Sequence, residues 1–327
     1  MSVETQTVVN MESPDDIALA DKMNAARGQI ITELKKLIVG QDETVNLILL
    51  SLFVGGNSLI VGVPGLAKTL LIRTLAQVLD LKFNRIQFTP DLMPSDITGT
   101  HVFQPAEGTF RFMPGPVFAN ILLADEINRA SPKTQSALLE AMEERQVTIE
   151  GVTTPLPRPF LVIATQNPVE HEGTFPLPES QLDRFLIRVS IGYPDHTTES
   201  ELVTGDVRRT VQPAVSPDEL RAMIEAVSDV RVTPELVRYI VDIADASRRH
   251  PGLRLGMSPR ATIQLGRAAR ALAAGRGRNY ATPDDVKALA VPVLAHRLVA
   301  RPETSRTGNT ERIVREILDS VPVPPIR

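Results

Sequence analysis

The chain contains the stretch Gly62-Val63-Pro64-Gly65-Leu66-Ala67-Lys68-Thr69, which directly follows the apolar run Leu59-Ile60-Val61. Apolar residues at helical spacing follow it, beginning with Leu70, so the stretch joins a predicted strand to a predicted helix. This is the setting of a phosphate-binding loop, in which backbone N–H groups surround phosphate oxygens, the lysine reaches the β- and γ-phosphates, and the threonine hydroxyl binds Mg²⁺. We therefore expect residues 62–70 to bind a nucleotide. The alternative is a Gly/Pro turn before an ordinary helix.

Ala67 is a departure from the strict pattern of this loop, because it stands where a second fixed glycine is usual. Alanine adopts right-handed helical dihedrals without strain. We therefore expect a small cost here if residue 67 already begins the helix.

Composition sets wide limits on the class of protein. The chain has 327 residues, of which 43% are hydrophobic and 23% charged, enough for one large domain and a smaller one. It has no cysteine, which excludes disulfides and cysteine-based zinc sites. The net charge of −4 gives no general attraction to nucleic acid. The N-terminus lacks a signal-peptide pattern and the apolar run Val45–Val54 is too short to span a membrane, so we expect a soluble cytoplasmic protein without a membrane segment.

Short apolar runs alternate with helical segments through the first part of the chain. This pattern predicts an α/β fold in which a parallel five-stranded sheet is flanked by helices on both faces. We divide the chain into a disordered tail at residues 1–15, a nucleotide-binding α/β core at 16–193 and a small all-α lid domain at 194–327. The five predicted strands are Leu59–Val61, Arg85–Phe88, Ile121–Ala124, Phe160–Ala164 and Leu186–Ser190.

The lid is predicted from a repeated helix-start signal. Four Ser-Pro or Thr-Pro pairs each supply a capping oxygen and then a residue that has no backbone N–H to leave unpaired. They are Ser216-Pro217, Thr233-Pro234, Ser258-Pro259 and Thr282-Pro283.

Two carboxylates, Asp125 and Glu126, directly follow the buried strand predicted at Ile121–Ala124. Ligands of open α/β sheets bind at the carboxyl ends of the strands. Asp125 is then placed to hold Mg²⁺ together with Thr69, and Glu126 to polarise the water that attacks a γ-phosphate. The alternative is an ordinary acidic helix start.

Asn167 follows the next apolar strand along the chain, within Thr165-Gln166-Asn167-Pro168. Its amide can hydrogen-bond both a γ-phosphate and the attacking water without adding charge. Asn-Pro is also a common turn, and this alternative stays open from the sequence alone.

Together these motifs resemble the AAA+ ATPases and, among them, the MoxR family. The resemblance runs from about Ile30 to Arg301 and includes the more family-specific stretches Asp91–Gly99 and Pro176–Glu179. It implies ATP and Mg²⁺ as ligands and a ring, expected to be a hexamer, with each nucleotide between neighbouring subunits. It also implies protein clients, including proteins with a von Willebrand factor A domain. The motifs matched are Walker A at Gly62–Thr69, Walker B at Asp125-Glu126 and sensor 1 at Asn167.

The resemblance also implies two catalytic arginines. Gln181–Phe185 resembles the segment that carries the arginine finger, which makes Arg184 a residue that acts on a neighbour's nucleotide, and Gly256–Arg260 resembles the sensor 2 motif. A guanidinium near the γ-phosphate contributes roughly 10³ to 10⁵ in rate. Arg260 lies in the first turn of a capped helix, where the helix dipole disfavours a cation unless an anion is close. The alternatives are a surface salt bridge for Arg184 and a solvated Arg260, whose action in cis or in trans stays open.

Three further features complete the expectations. Val39 and Gln41 resemble the AAA+ segment that packs on the adenine base, with Tyr193-Pro194 at the domain hinge, although plain core packing is an equal alternative.

Two β-hairpins are predicted, one from Thr100–Phe103 and Thr109–Phe112 and one within Gln146–Val152. By resemblance they are the helix 2 insert and the pre-sensor 1 hairpin, facing the pore or partners. Phe103, Phe110 and Phe112 packing on the sheet is the alternative.

The favoured function is an ATP-driven, chaperone-like motor that remodels or matures protein complexes, with cofactor insertion as one form of that work. A nucleic-acid motor is the main rival, but the predicted hairpin tips carry Glu107 and Glu150 rather than lysine or arginine. A cluster of arginines at positions 267, 270, 276 and 278 is the best support for that rival. A metal-chelatase motor subunit and a nucleotide-gated scaffold that barely hydrolyses ATP also stay open from the sequence alone.

Overall fold

The computed structural model describes residues 14–168, 173–196, 198–200, 210–302 and 310–324. Positions 1–13 of the predicted tail lie outside the described residues. Positions 14 and 15, the last two of that tail, belong instead to helix α1, Pro14–Leu34. In the part of the chain that is described, no helix combines the length and the apolar character needed to cross a membrane.

A parallel five-stranded sheet with strand order β2-β5-β8-β1-β9 forms the centre of the core, which confirms the predicted α/β class. Each strand begins and ends within two residues of the predicted run. The strands are β1 Asn57–Val61, β2 Phe83–Gln87, β5 Ile121–Asp125, β8 Leu161–Gln166 and β9 Phe185–Ser190.

Both faces of this sheet are buried. Successive residues along a strand point to opposite faces, so Leu59 and Ile60 of β1 belong to two different hydrophobic clusters, as do Leu122 and Leu123 of β5. Helices cover the two faces, as expected for a parallel sheet. Besides α1, the helices of the core are α2 Asp42–Val54, α3 Lys68–Val78, α4 Pro94–Thr98, α5 Pro132–Glu144 and α6 Glu179–Leu182.

Both predicted hairpins are present as antiparallel pairs. Strands β3 Gly99–Gln104 and β4 Thr109–Pro114 form the first, and β6 Gln146–Ile149 and β7 Val152–Pro155 form the second. In the first hairpin, the rings of Phe103 and Phe110 contact each other at 5.2 Å and are 50% and 70% exposed, so they do not pack on the sheet. Phe112 instead packs edge-on against Phe118.

The lid contains the helices α7 Pro217–Ala226, α8 Pro234–Arg249, α9 Pro259–Gly275, α10 Pro283–Leu294 and α11 Thr310–Ser320. The first four begin at the four predicted Ser-Pro or Thr-Pro pairs. Ser216, Thr233 and Ser258 each accept a backbone hydrogen bond in the first turn. The lid is not purely helical, however, because strands β10 Leu253–Leu255 and β11 Val299–Ala300 pair antiparallel. Strands of two or three residues are too short to leave an alternating pattern in the sequence.

Candidate nucleotide site and arginine pair

The phosphate-binding loop connects the carboxyl end of β1 to the start of α3. Gly62 donates its backbone N–H to the carbonyl of Gln166 at 3.1 Å, which anchors the loop to the end of β8. A Cβ at Gly62 would lie 2.8 Å from the carbonyl oxygen of Ile191, so only glycine fits there. Gly65 has φ of +87° with open space around its Cα, so a ligand can approach the loop backbone closely at this position.

Ala67 does not begin the helix, so the expectation of a small cost at this position is wrong. It has φ of 55° and ψ of 21°, a left-handed conformation, and α3 begins one residue later at Lys68. The alanine Cβ is strained in this region, which glycine occupies freely. The loop therefore stores backbone strain next to the phosphate cradle.

Lys68 is the cation of this loop and is almost completely buried. Its Nζ donates to the carbonyl of Gly62 at 2.6 Å, so the ammonium lies inside the loop. Burial lowers the pKa of Lys68, and the nearby carboxylates Asp125 and Glu126 counteract that shift. The loop thus brings a buried cation close to both carboxylates that follow β5.

Thr165 on β8 orients the two carboxylates at the end of β5. Its Oγ1 donates to Oδ1 of Asp125 at 2.6 Å and accepts the backbone N–H of Glu126 at 2.8 Å. Glu126 has φ of 56°, so this hydrogen bond helps to hold a strained backbone in place. We did not select Thr165 from the sequence, although a hydroxyl in a buried strand is a signal that could have identified it.

Strand β2 supplies partners to the same carboxylates. Arg85 donates to Oδ2 of Asp125 from Nη2 at 2.8 Å and from Nε at 3.1 Å. Gln87 donates to Oε2 of Glu126 at 2.8 Å, and Arg129 donates to the same oxygen at 3.0 Å. Both carboxylates are thus held by hydrogen bonds within the subunit. Arg85 and Gln87 were missed because the pairing of β2 with β5 is not visible in the sequence, whereas Arg129, three residues after Glu126, is a local partner that was not selected.

Asn167 and Gln41 both lie next to segments that contact the loop. Asn167 is buried directly after β8, one residue beyond the carbonyl that anchors Gly62. Nε2 of Gln41 donates to the carbonyl of Leu66 at 3.1 Å. Oε1 of Gln41 is buried and has no hydrogen-bond partner among the described residues, so an acceptor is available there for a ligand N–H. Val39 is partly buried two residues earlier, whereas Tyr193 is 79% exposed and is not core.

These features fit a nucleotide with Mg²⁺. The loop provides backbone donors and a buried lysine for phosphates, and Gln41 has an unused acceptor for the amino group of a base. Thr69 follows Lys68 in the first turn of α3, and Asp125 presents a carboxylate at the same edge of the sheet. Hydroxyl, carboxylate and phosphate oxygens are ligands that Mg²⁺ prefers.

Arg184 and Arg260 come together, but away from this loop. Nη2 of Arg184 lies 3.1 Å from Oε2 of Glu143, and Nη2 of Arg260 donates to Oε1 of the same carboxylate. Arg184 directly precedes β9, and residues 55–57 at the amino end of β1 line the same cavity as both arginines. The pair therefore lies at the edge of the sheet opposite the phosphate-binding loop. Arg184 is thus in a salt bridge, but its partner is Glu143 and not one of the nearby carboxylates in sequence. Asp183 and Glu179 bind Arg297 and Arg254, respectively.

A second carboxylate, that of Asp183, connects the segment that contains Arg184 to the lid. Asp183 accepts hydrogen bonds from Oγ of Ser258 at 3.0 Å and from Nη1 of Arg297 at 3.3 Å. Arg297 is buried and also donates to the carbonyls of Phe185 and Leu186. Because Ser258 caps the helix that carries Arg260, the two arginines are joined through both Glu143 and Asp183.

His296 is buried beside Arg297, and its Nε2 lies 3.0 Å from the carbonyl of Phe185. Burial, with the neighbouring guanidinium of Arg297, lowers the pKa of His296 to about 3. Burial likewise lowers the pKa of Arg297 to about 10, and Asp183 opposes that shift. The histidine is thus neutral at physiological pH, and Asp183 is the carboxylate that balances Arg297.

Comparison with known proteins places both parts of the chain. Residues 57–187 match the ATPase family associated with various cellular activities (AAA), and residues 245–317 match the AAA lid domain. The chain is 44% identical over 308 residues to Chaperone MoxR1 of Mycobacterium tuberculosis, covering 90% of this chain and 82% of that protein. It is 31% identical over 346 residues to Protein MoxR of Methylorubrum extorquens, covering 97% and 100%. A crystal structure of a candidate ATPase from Cytophaga hutchinsonii superposes with a TM-score of 0.88 at 40% identity, covering 94% and 98%.

Proposed function

Because the chain belongs to the MoxR family of AAA+ ATPases, a family with chaperone-like members, we propose that it hydrolyses Mg²⁺-ATP at sites completed between neighbouring subunits of a ring. The observation that carries this proposal is the position of Arg184 and Arg260, which share Glu143 at the sheet edge opposite the phosphate-binding loop.

The distance between the phosphate-binding loop and the arginine pair supports action in trans. Strand β9 runs parallel to β1, with Phe185 paired to Asn57 and Ser190 paired to Val61. A rise of about 3.3 Å per residue puts the Cα atoms of Asn57 and Val61, at the two ends of β1, roughly 13 Å apart. An arginine side chain cannot cover that distance. Arg184, and Arg260 beside it, are therefore placed to act on the nucleotide of another subunit.

Each residue of the site has a role in this proposal. Lys68 and the N–H groups of the loop bind the phosphates, with Thr69 and Asp125 holding the metal. Mg²⁺ neutralises charge on the β- and γ-phosphates when it is bound with the nucleotide. Glu126 orients the attacking water and accepts its proton, while Asn167 donates a hydrogen bond to the γ-phosphate.

The neighbour's Arg184 and Arg260 then stabilise the charge that spreads over the γ-oxygens. Because each site uses residues of two subunits, neighbouring subunits contact each other through two different surfaces, head to tail. Such a heterologous contact can close into a ring. We propose a hexamer. We also propose that residues 16–193 form the nucleotide-binding core and residues 194–327 form the lid.

We propose proteins as the clients of the motor, including proteins with a von Willebrand factor A domain, with cofactor insertion as one form of the work. The first hairpin offers Phe103 and Phe110 as exposed apolar groups, and its tip carries Glu107. The tip of the second hairpin carries Glu150. Acidic hairpin tips disfavour contacts with the phosphate backbone of a nucleic acid. We propose the cytoplasm as the compartment of the protein.

The arginine cluster of the lid gives the nucleic-acid rival little support. Arg276 and Arg278 both bind the carboxylate of Asp285, which is fully buried. Arg270 donates to the carbonyl of Ser228. These three charges are used inside the lid. The fourth, Arg267, is exposed and lines the cavity that also contains Arg184 and Arg260, so the cluster does not form a continuous basic stripe.

The test is ATP hydrolysis per subunit, measured with and without Mg²⁺ over a wide range of protein concentration. We expect a specific rate that rises with concentration and then levels, because the site is completed by assembly. Lys68→Ala should weaken nucleotide binding, whereas Glu126→Gln should retain ATP without turnover. Arg184→Ala should still bind ATP but lose roughly 10³-fold or more of the rate.

Two outcomes would contradict the proposal. If Arg184→Ala hydrolysed ATP at the parental rate in an assembled ring, the arginine finger would be wrongly assigned. If the parent protein bound ATP but failed to hydrolyse it with client proteins present, a nucleotide-gated scaffold would be the better description.

A further inference from the structure

Glu143 is the residue on which both arginines converge. It lies one residue before the end of α5, and its two carboxylate oxygens bind different guanidinium groups: Oε2 binds Arg184 and Oε1 binds Arg260. Arg184 precedes β9 in the core, and Arg260 lies in the first turn of α9 in the lid. A single carboxylate thus brings together two like charges that would otherwise repel each other.

The contacts with α5 engage both terminal nitrogens of Arg184. Nη2 binds Glu143, and Nη1 donates to the carbonyl of Leu139 at 2.8 Å. Nε is buried and has no hydrogen-bond partner among the residues that the structure describes. Bidentate recognition of phosphate uses two adjacent N–H groups of the guanidinium fork. Releasing Glu143 therefore frees the N–H of Nη2 that points to the carboxylate, so that the full fork of Arg184 can face a phosphate.

Positive charge is in surplus in one of the two cavities that Arg184 lines, whereas the other cavity also contains Glu140, Glu143 and Glu144. Both arginines line a cavity of about 170 Å³, together with Arg145 and Arg267, and Glu143 is the one carboxylate among its described lining residues. Burial lowers the pKa of Arg145, and the charges of Arg158 and Arg267 lower it further. A cavity with four guanidinium groups and one carboxylate favours a ligand with several negative charges.

We propose that Glu143 is the counter-ion of the arginine pair and that the γ-phosphate of a neighbouring subunit's ATP displaces it. This inference rests on the proposed action of Arg184 and Arg260 in trans. Glu143 is a positioning residue, because it keeps the two guanidinium groups together until a stronger anion arrives. It also selects between nucleotides, since only a triphosphate extends far enough to compete for the pair, whereas a diphosphate leaves Glu143 in place.

The test uses Glu143→Gln in the full chain under conditions in which the ring is assembled. Glutamine keeps the shape of the side chain and removes the competing charge. Affinity for a non-hydrolysable ATP analogue and for ADP is measured by calorimetric titration. We expect the preference for the ATP analogue over ADP to rise roughly two- to tenfold, in the range of two partly exposed ion pairs, with ADP affinity unchanged.

Glu225→Gln is the matched control, because it removes the same charge from an exposed position one residue before the end of α7, outside both cavities that Arg184 lines. It should leave the preference at the parental value. If Glu143→Gln prefers the ATP analogue over ADP no more strongly than the parent protein does, the proposal is overturned. Removing the competing carboxylate would then have given the triphosphate no advantage. A purely structural role would change both affinities together.

The two proposals fail in different ways. If Arg184→Ala retains the parental rate of hydrolysis, the trans action itself is wrong. If Arg184→Ala is inactive but Glu143→Gln leaves the preference unchanged, only the role of Glu143 is wrong. Glu143 is partly exposed, and thermal unfolding of the two glutamine variants without nucleotide verifies that each is folded.

Discussion

Ala67 shows at the scale of one residue how the chain departs from the usual loop. Left-handed backbone costs a non-glycine residue about 1–2 kcal/mol, and the neighbouring glycine at position 65 avoids this cost. The strain lies between Leu66, whose carbonyl binds Gln41, and Lys68, whose ammonium binds Gly62. These contacts hold Ala67 in a conformation that the alanine itself disfavours.

Replacing Ala67 by glycine should therefore stabilise the folded protein. We expect Ala67→Gly to raise the free energy of unfolding by about 1 kcal/mol, measured by urea denaturation without nucleotide. Ala222→Gly is the matched control, because Ala222 is exposed within α7 and glycine there should lower the free energy of unfolding by about 1 kcal/mol. A loss of stability in Ala67→Gly would show that the positive φ is not strained.

At the scale of elements, Asp183 joins the core to the lid through a buried contact. Its partner Arg297 is 4% exposed, and its other partner, Ser258, caps α9. A second ion pair between core and lid, Glu179 with Arg254, is separated by 3.4 Å and lies in solvent. The two pairs connect the same parts of the chain but differ in burial.

This difference predicts different effects of losing each carboxylate. Asp183→Asn leaves the buried guanidinium of Arg297 without its balancing charge, so we expect the free energy of unfolding to fall by about 3 kcal/mol. Glu179→Gln should lower it by less than about 1 kcal/mol, because exposed ion pairs are weak. Urea denaturation of both variants checks the prediction. Equal effects would mean that Asp183 does not carry the connection to the lid.

The lid helices and the central strands could be predicted because their signals are local. Ser258 and Pro259 are adjacent, and the apolar run that becomes β5 is continuous. The contacts of the site are long-range instead. Asp183 and Arg297 are 114 positions apart, and Glu143 and Arg260 are 117 apart. No periodicity or motif brings such residues together, so Glu143 and Arg85 could not be selected before the fold was known. Thr165 is different, because its hydroxyl in an apolar strand is a local signal.

Over the whole molecule, the charged groups proposed for hydrolysis are paired inside the subunit. Asp125 binds Arg85, Glu126 binds Arg129, and Arg184 and Arg260 bind Glu143. The carboxylates lie at the carboxyl edge of the sheet and the arginine pair at the amino edge, so no rotation of side chains within one subunit brings them together. In the proposed mechanism, one subunit's arginine edge therefore meets another subunit's nucleotide.

A mixture of two inactive variants tests this arrangement. Lys68→Ala subunits lack nucleotide binding but keep Arg184, whereas Arg184→Ala subunits bind nucleotide but lack the arginine. In rings formed from equal amounts of both, about a quarter of the interfaces join an intact nucleotide site to an intact arginine. We expect ATP hydrolysis to recover to about that fraction of the parental rate. Mixing Arg184→Ala subunits with subunits that carry both substitutions should restore no ATP hydrolysis. If the first mixture also fails to hydrolyse ATP, in rings proven to contain both variants, Arg184 belongs to its own subunit's site.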